Sequence, residues 1–300
     1  MNRPIEASWL AVRRNADAAA RARSAPLVRM LGRALARSMS GSGSVSVVDV
    51  GAGTGANQAW LAPALRRAGY AGRQEWHLLD HDESLLEAST TADDNANNDD
   101  YLDIRSTRHT ANVTEVASLL QELEPPRVLT CSALLDLLTA AEVDHLVQAA
   151  RGLADAVLWA LSVTGEVGLT PRHPDDGLVT DLFNADQQRR LDGDRVLLGP
   201  TAWSYAAQGL REVGWQVHTR PTPWRLSSAQ GPLVRRWLDE RADAAAGTSS
   251  DTDVHARLRG WAEARRANLD EGALAVRVGH CDLVALPEKV TSVQTSSPSW

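Results

Sequence analysis

Cysteine is nearly missing from this chain. Cys131 and Cys281 are the two present among 300 residues, too few for a disulfide framework, and a reducing, cytoplasmic setting is the expectation. Long apolar runs are missing as well. No segment reaches the roughly eighteen consecutive apolar residues that a membrane span needs, and the opening MNRPIEASWLAVRR lacks the apolar block of a secretory signal. A basic excess is also lacking. Thirty-one Lys and Arg stand against 38 Asp and Glu, for a net charge of −7, whereas a protein that wraps nucleic acid usually carries a basic stripe. The balance points to a small-molecule partner. Lysine is reduced to Lys289 and phenylalanine to Phe183.

What remains is apolar enough, at 43% hydrophobic residues, to fill one large core or a core with additions. Residues 7–39 carry a helical stripe of Trp9, Val12, Ala16 and Ala19, then Leu27, Met30, Leu31 and Leu35. We read 1–40 as an N-terminal helical cap. Strands are expected at Val45–Val50, Trp76–Leu79, Ile104–Thr107, Val128–Cys131, Ala156–Leu161, Trp215–Arg220 and Ala273–Leu286. Helical patterns separate most of them, near 56–68, 83–91, 114–122, 141–153 and 201–213. Such alternation predicts an α/β fold over 45–288: a doubly wound, mostly parallel seven-stranded sheet with helices on both faces. A polar stretch at 165–200 and a helical insertion at 229–270 interrupt the pattern, and the tail 289–300 reads as disordered.

The segment VVDVGAGTG carries the first chemical signal. Gly51, Gly53 and Gly55 follow a strand and open a helix, where a bare backbone lets a ligand approach free N–H groups. Glycines alone also suit a dinucleotide site, with Ala56 in place of a third glycine. Two acids argue otherwise. Asp49 precedes the loop, where a positively charged ligand suits a carboxylate better than a pyrophosphate does. Asp80 ends the next strand, placed to accept both hydroxyls of a ribose.

Together, VVDVGAGTG and the following WHLLDHDESLLEAS resemble motifs one and two of the class I S-adenosylmethionine-dependent methyltransferases. The resemblance spans about residues 45–163 and implies S-adenosyl-L-methionine as cofactor and methyl transfer as the activity. It places Gly51, Ala52, Gly53 and Gly55 against the methionine and sugar, and Asp49 in the loop's polar network. Asp80 then binds the ribose with His81 beside it, and Asp82 is the substitute if the strand ends later. Asn112 and Val113 meet the adenine, where the family more often has an aspartate, and Ser132 lies near the methyl.

Methyl transfer from a sulfonium is an in-line displacement, so the protein chiefly positions the acceptor and excludes water. An acceptor hydroxyl or acid gains from a base, while a free amine needs little more than orientation. Residues just beyond the fourth and fifth strands are the candidates. Asp136 faces the methyl or caps the next helix. Glu166 and His173 are further candidates for proton transfer, and Phe183, Asn184 and Arg189 for holding the acceptor, with 165–200 as a lid. Trp9, on the N-terminal cap, is expected at the acceptor mouth. The expected enzyme is metal-independent and methylates O or N of a small molecule. An RNA or protein methyltransferase using 229–270, and a non-catalytic cofactor-binding protein, are the alternatives; 229–270 also suits a homodimer face.

Several signals are discounted. DDNANNDD at 93–100 resembles the start of a calcium loop but lacks its glycine and closing glutamate. Cys131 has no nearby cation to make it a nucleophile. DHD at 80–82 follows the wrong strand for a catalytic metal, and GHCD at 279–282 lacks partners for zinc.

Overall fold

β1 (Ser44–Val50) shows how the sheet is built. Val45 and Val47 turn to one face, Val48 and Val50 to the other, and all four are dry. A parallel strand covered by helices on both sides requires this. The computed structural model describes residues 7–38, 43–89, 103–190 and 195–288; the DDNANNDD segment and the tail lie outside them.

The remaining strands are β2 (Arg73–Asp80), β3 (Ile104–Thr110), β4 (Arg127–Ser132), β5 (Ala156–Thr170), β6 (Trp215–Pro221), β7 (Trp224–Ser227) and β8 (Ala275–Pro287). They form one sheet of order β3-β2-β1-β4-β5-β8-β6, with β7 paired to β8. The first five are parallel, while β8 runs antiparallel to β5, β6 and β7. Eight strands therefore stand where the apolar pattern predicts seven. β7, only four residues long, is absent from the expected strands because so short a stretch carries little alternation.

α2 (Ala25–Ser38) and α3 (Ala56–Arg67) cover one face, through Leu31, Leu35, Leu61 and Leu65. α5 (Val116–Glu122), α6 (Ala140–Leu153) and α8 (Ala202–Glu212) cover the other, through Leu120, Leu146 and Leu210. Each such leucine contributes about 1.5–3 kcal/mol by leaving water. α4 (Glu83–Glu87) is a single short turn after β2.

A second core surrounds the outer half of β5. α1 (Ala7–Arg21), α7 (Asp176–Gln187), α9 (Gly231–Gly247) and α10 (Thr252–Asp270) pack Ala16, Val179, Trp237, Leu238 and Trp261 against β7 and the outer halves of β5 and β8. The 229–270 insertion is the helix pair α9 and α10. Residues 165–200 depart from a simple polar lid: the first of them complete β5, where Val167 and Leu169 pair with Val278 and Val276. Their alternation continues the strand beyond the expected end at Leu161.

β5 is irregular where it leaves the first core. Its register against β8 shifts between Trp159 and Ser162, and Leu161 has φ of 55°. Asp282, fully buried on β8, accepts the Leu161 N–H at 2.8 Å and the Thr222 hydroxyl at 2.5 Å, and also a bond from Ser24. The acid of GHCD is thus a bracket for this bulge. Among the described residues no cluster of three or more His, Cys, Asp or Glu could hold a metal, and no helix is long and apolar enough to cross a membrane.

Candidate active site

Chain order makes β1 the point where the sheet reverses direction, with β2 and β3 on one side and β4 and β5 on the other. A crevice opens at the carboxyl ends of the strands flanking such a point. Here it is a cleft of about 570 Å³, lined by the Gly51–Thr54 turn, the end of β2, the start of the segment after β3 and residues 132–134 after β4. α1 forms the opposite wall.

The glycine turn is tight by necessity. Gly51, Gly53 and Gly55 have φ of 65°, 52° and 77°, the left-handed region that costs other residues about 1–2 kcal/mol. At Gly51 a Cβ would also meet Leu134 Cδ1 at 2.8 Å. The turn is tied to the β2 end: Ala52 donates its N–H to Leu79 O at 3.1 Å, and Gly53 to Asp80 Oδ2 at 2.8 Å. Asp80 Oδ1 accepts the Asp82 N–H at 3.0 Å. The carboxylate is therefore held rigid, and each oxygen keeps capacity for one more donor.

The other cofactor candidates fall in two groups. His81, whose side chain is 75% exposed, places Nδ1 3.2 Å from Asp80 Oδ1, and Asp82 caps α4 by accepting the Ser84 N–H; both line the cleft, as do Asn112, Val113 and Ser132. Asn112 is exposed and donates its backbone N–H to Glu115. Asp49 is different. It lies on the α3 side of β1, fully buried, and accepts from Asn57 Nδ2 at 2.8 Å. Strand alternation points it behind the turn, so it does not meet ligand charge directly. Loss of hydration pushes its pKa up to about 7, against the Asn57 bond and the Arg21 charge.

The acceptor and catalytic candidates scatter. Asp136 sits in a 3-10 turn beyond β4 and does not line the cleft; burial raises its pKa, partly offset by Arg13. It does not cap α6 either, because Thr139 does, in a reciprocal box with Glu142. Glu166 and His173 lie away from the cleft. Glu166 is exposed and pairs with Arg277 at 3.3 Å. His173 accepts the Asp175 N–H and lines a separate depression at the outer end of β5 and β8. No proton transfer in the cleft reaches them. Arg189 is exposed and bonded to Asp186 on its own helix end. Asn184 donates to Gly165 O at 3.1 Å. Trp9 packs on the second core beneath Arg236, 4.9 Å from its guanidinium carbon. Cys131 is buried, and burial together with Asp49 and Asp136 keeps its thiol protonated.

Missing from the expectations is the polar face of α1. Arg13 holds Asp17 with two bonds of 2.9 and 3.2 Å. Asp17 in turn accepts from Trp224 Nε1 at 3.0 Å, and Arg13 lies 5.1 Å over that indole. Arg21 reaches across to Ser132 Oγ at 2.8 Å and Ala56 O at 3.2 Å, over the Trp60 ring. Their spacing of four residues places all three on one helix face, a signal present in the sequence.

No family model matches the chain, and no curated protein matches it in sequence. Solved structures are similar in shape. One, from Anaeromyxobacter dehalogenans, is described as a type II methyltransferase: 16% identity over 87% of this chain and 97% of that one, TM-score 0.45. The cyclopropane synthase MmaA2 from Mycobacterium tuberculosis shares 13% identity over 84% and 82%, TM-score 0.37. A geranyl diphosphate methyltransferase, solved with its methyl donor, shares 10% over 88% and 85%, TM-score 0.40. The sheet reversing at β1, the left-handed glycine turn and the carboxylate ending β2 give the chain a doubly wound, mostly parallel α/β fold with a cleft at its switch point.

Proposed function

We propose that the chain is an S-adenosylmethionine-dependent methyltransferase that methylates O or N of a small molecule without a metal. The carrying observation is the pair formed by the Gly51–Gly55 turn and the Asp80 carboxylate at the switch point of the sheet. The cofactor fits these residues: Asp80 retains an accepting site on each oxygen, the backbone at Gly53 is bare, with Leu10 as the nearest side chain to where a Cβ would stand, and the cleft volume suits a drug-sized ligand.

When bound, the cofactor supplies an electrophilic methyl on a cationic sulfur. The protein's share is orientation. Asp80 would hold the ribose hydroxyls, Asn112 and Val113 the adenine edge, and the turn the methionine end. Ser132, fixed by Arg21, and Asp17, fixed by Arg13 and Trp224, stand at the wall shared with α1. That helix screens the cleft from water, which favours displacement by the acceptor over hydrolysis.

A small acceptor is supported by the charges of the cleft. Arg13, Arg14, Arg21 and Arg195 alternate with Asp17, Asp80, Asp82 and Glu142, with Arg195 paired to Glu142 at 2.9 Å. The cleft lining thus balances four arginines with four acids among the described residues, where an RNA substrate favours a basic excess. The test is incubation of metabolite extracts with methyl-labelled cofactor, followed by mass spectrometry. Labelled small products are expected; label only in RNA or protein would overturn the acceptor class, and no label at all the activity.

A further inference from the structure

Two arginines are buried in the second core, and they are treated differently. Arg265 on α10, 1% exposed, donates to both oxygens of Asp176 at 2.6 and 2.7 Å and to Pro171 O at 2.6 Å. Arg241 on α9, 7% exposed, has no ion pair, and its Nε and Nη1 meet no acceptor among the described residues. Burial pulls its pKa down to about 9, which leaves it cationic at neutral pH. A buried charge without a partner costs several kcal/mol.

Aromatic rings offset part of that cost. The guanidinium carbon lies 3.9 Å from the Phe183 ring centroid and 4.2 Å from that of Trp237, within the range where cation–π attraction contributes about 2 kcal/mol when desolvated. Stacking uses the faces of a guanidinium. Its in-plane N–H groups, the ones that fork onto a carboxylate, are left over.

The surroundings share this feature. Thr164 Oγ1 and Asn184 Oδ1 are also buried without partners. Asn184 follows Phe183 on α7, and its amide fits only because Gly165 (φ 75°) lacks a Cβ, which would stand 2.8 Å from Nδ2. Thr164, Phe183 and Asn184 keep partial exposure as residues, although the orphaned oxygens of Thr164 and Asn184 are closed to solvent. Arg241 is linked to the cleft through His280: it acts electrostatically on that ring together with the cleft residues Arg13 and Asp17, and the ring stacks 5.0 Å from Trp224, whose indole is bonded to Asp17.

We propose that Arg241 is the docking point for a carboxylate on the methyl acceptor, with Phe183 and Trp237 flanking it and the Thr164 hydroxyl as a further donor. The role as acceptor site rests on the methyltransferase reading; the carboxylate site does not. A single unpaired cation matches a monoanion better than a phosphate dianion.

The test is calorimetric titration of monocarboxylates (acetate, phenylacetate, 3-phenylpropionate) and inorganic phosphate into wild type and Arg241→Met, with and without S-adenosylhomocysteine, plus melting temperatures. Expected are binding of at least one carboxylate to wild type, at least tenfold weaker binding to R241M, and a melting temperature of R241M equal to or above wild type. The proposal is overturned if no carboxylate binds, if R241M binds equally, if phosphate outcompetes every carboxylate, or if R241M melts lower, which would mark Arg241 as a structural stacking residue. Carboxylate binding without S-adenosylhomocysteine binding would instead sink the methyltransferase reading and leave the carboxylate site standing.

Discussion

Asp80 concentrates the chemistry of the cleft at one side chain. Its two oxygens are oriented by Gly53 and Asp82, so Asp80→Ala removes the acceptor proposed for the ribose. Cofactor binding should weaken by about 1–3 kcal/mol, read by calorimetry. Gly51→Ala tests the turn itself. A left-handed φ and the Leu134 contact should destabilise the fold by about 1–3 kcal/mol in urea unfolding. Asp49 gives a pH signature. Its folded pKa of about 7 lies above the usual carboxylate value of 3.8, so the native state holds the proton more tightly. Stability from this group is therefore lost as pH rises from about 4 to about 7, with a ceiling of about 4 kcal/mol. Asp49→Asn should flatten that part of the profile, since Asn57 can turn its amide to keep the bond. Unchanged pH dependence in the variant would contradict the assignment. Asp80, the glycines and Ser132 were legible as residues because their spacing is tied to strand ends. The burial of Asp49 was not, because only β1's facing decides whether an acid at that position sees ligand or α3.

Among the elements, helix starts show where local rules were enough and where they were not. Thr139 and Glu142 form a capping box three residues apart, a pattern written in the sequence, yet Asp136 competes for the same role on composition alone. Thr139→Ala should cost about 1 kcal/mol in thermal unfolding, while Asp136→Ala should leave α6 intact. α1 was read for its apolar stripe, and Arg13, Asp17 and Arg21 on its other face were passed over. The extension of β5 was hidden for another reason. Glycines and polar residues in SVTGEVGLT suit a loop until β8 is known to lie beside them, and strand preference is decided by such neighbours. Glu166 and His173 were misplaced for that reason: they sit on or just beyond a strand that carries them past the cleft.

For the whole molecule, the sheet of the first core supplies the cofactor cleft and the second core supplies the ground beside it, with α1 and the β5 bulge joining them. Alternating strands and helices made the first core readable in advance. The second depends on contacts between β7, α7, α9 and α10 that are distant in the chain, which no local pattern encodes. Ligand binding should stabilise the joined structure as a unit. At a hundredfold excess over Kd, about 2.7 kcal/mol is added, or roughly 5 °C in melting temperature. The direct measurement is the melting temperature of wild type and Asp80→Ala with S-adenosylhomocysteine and, separately, with NAD. The account predicts a rise of about 5 °C for wild type with S-adenosylhomocysteine, a much smaller one for D80A, and none with NAD. A rise with NAD alone, or an equal rise in D80A, would contradict it.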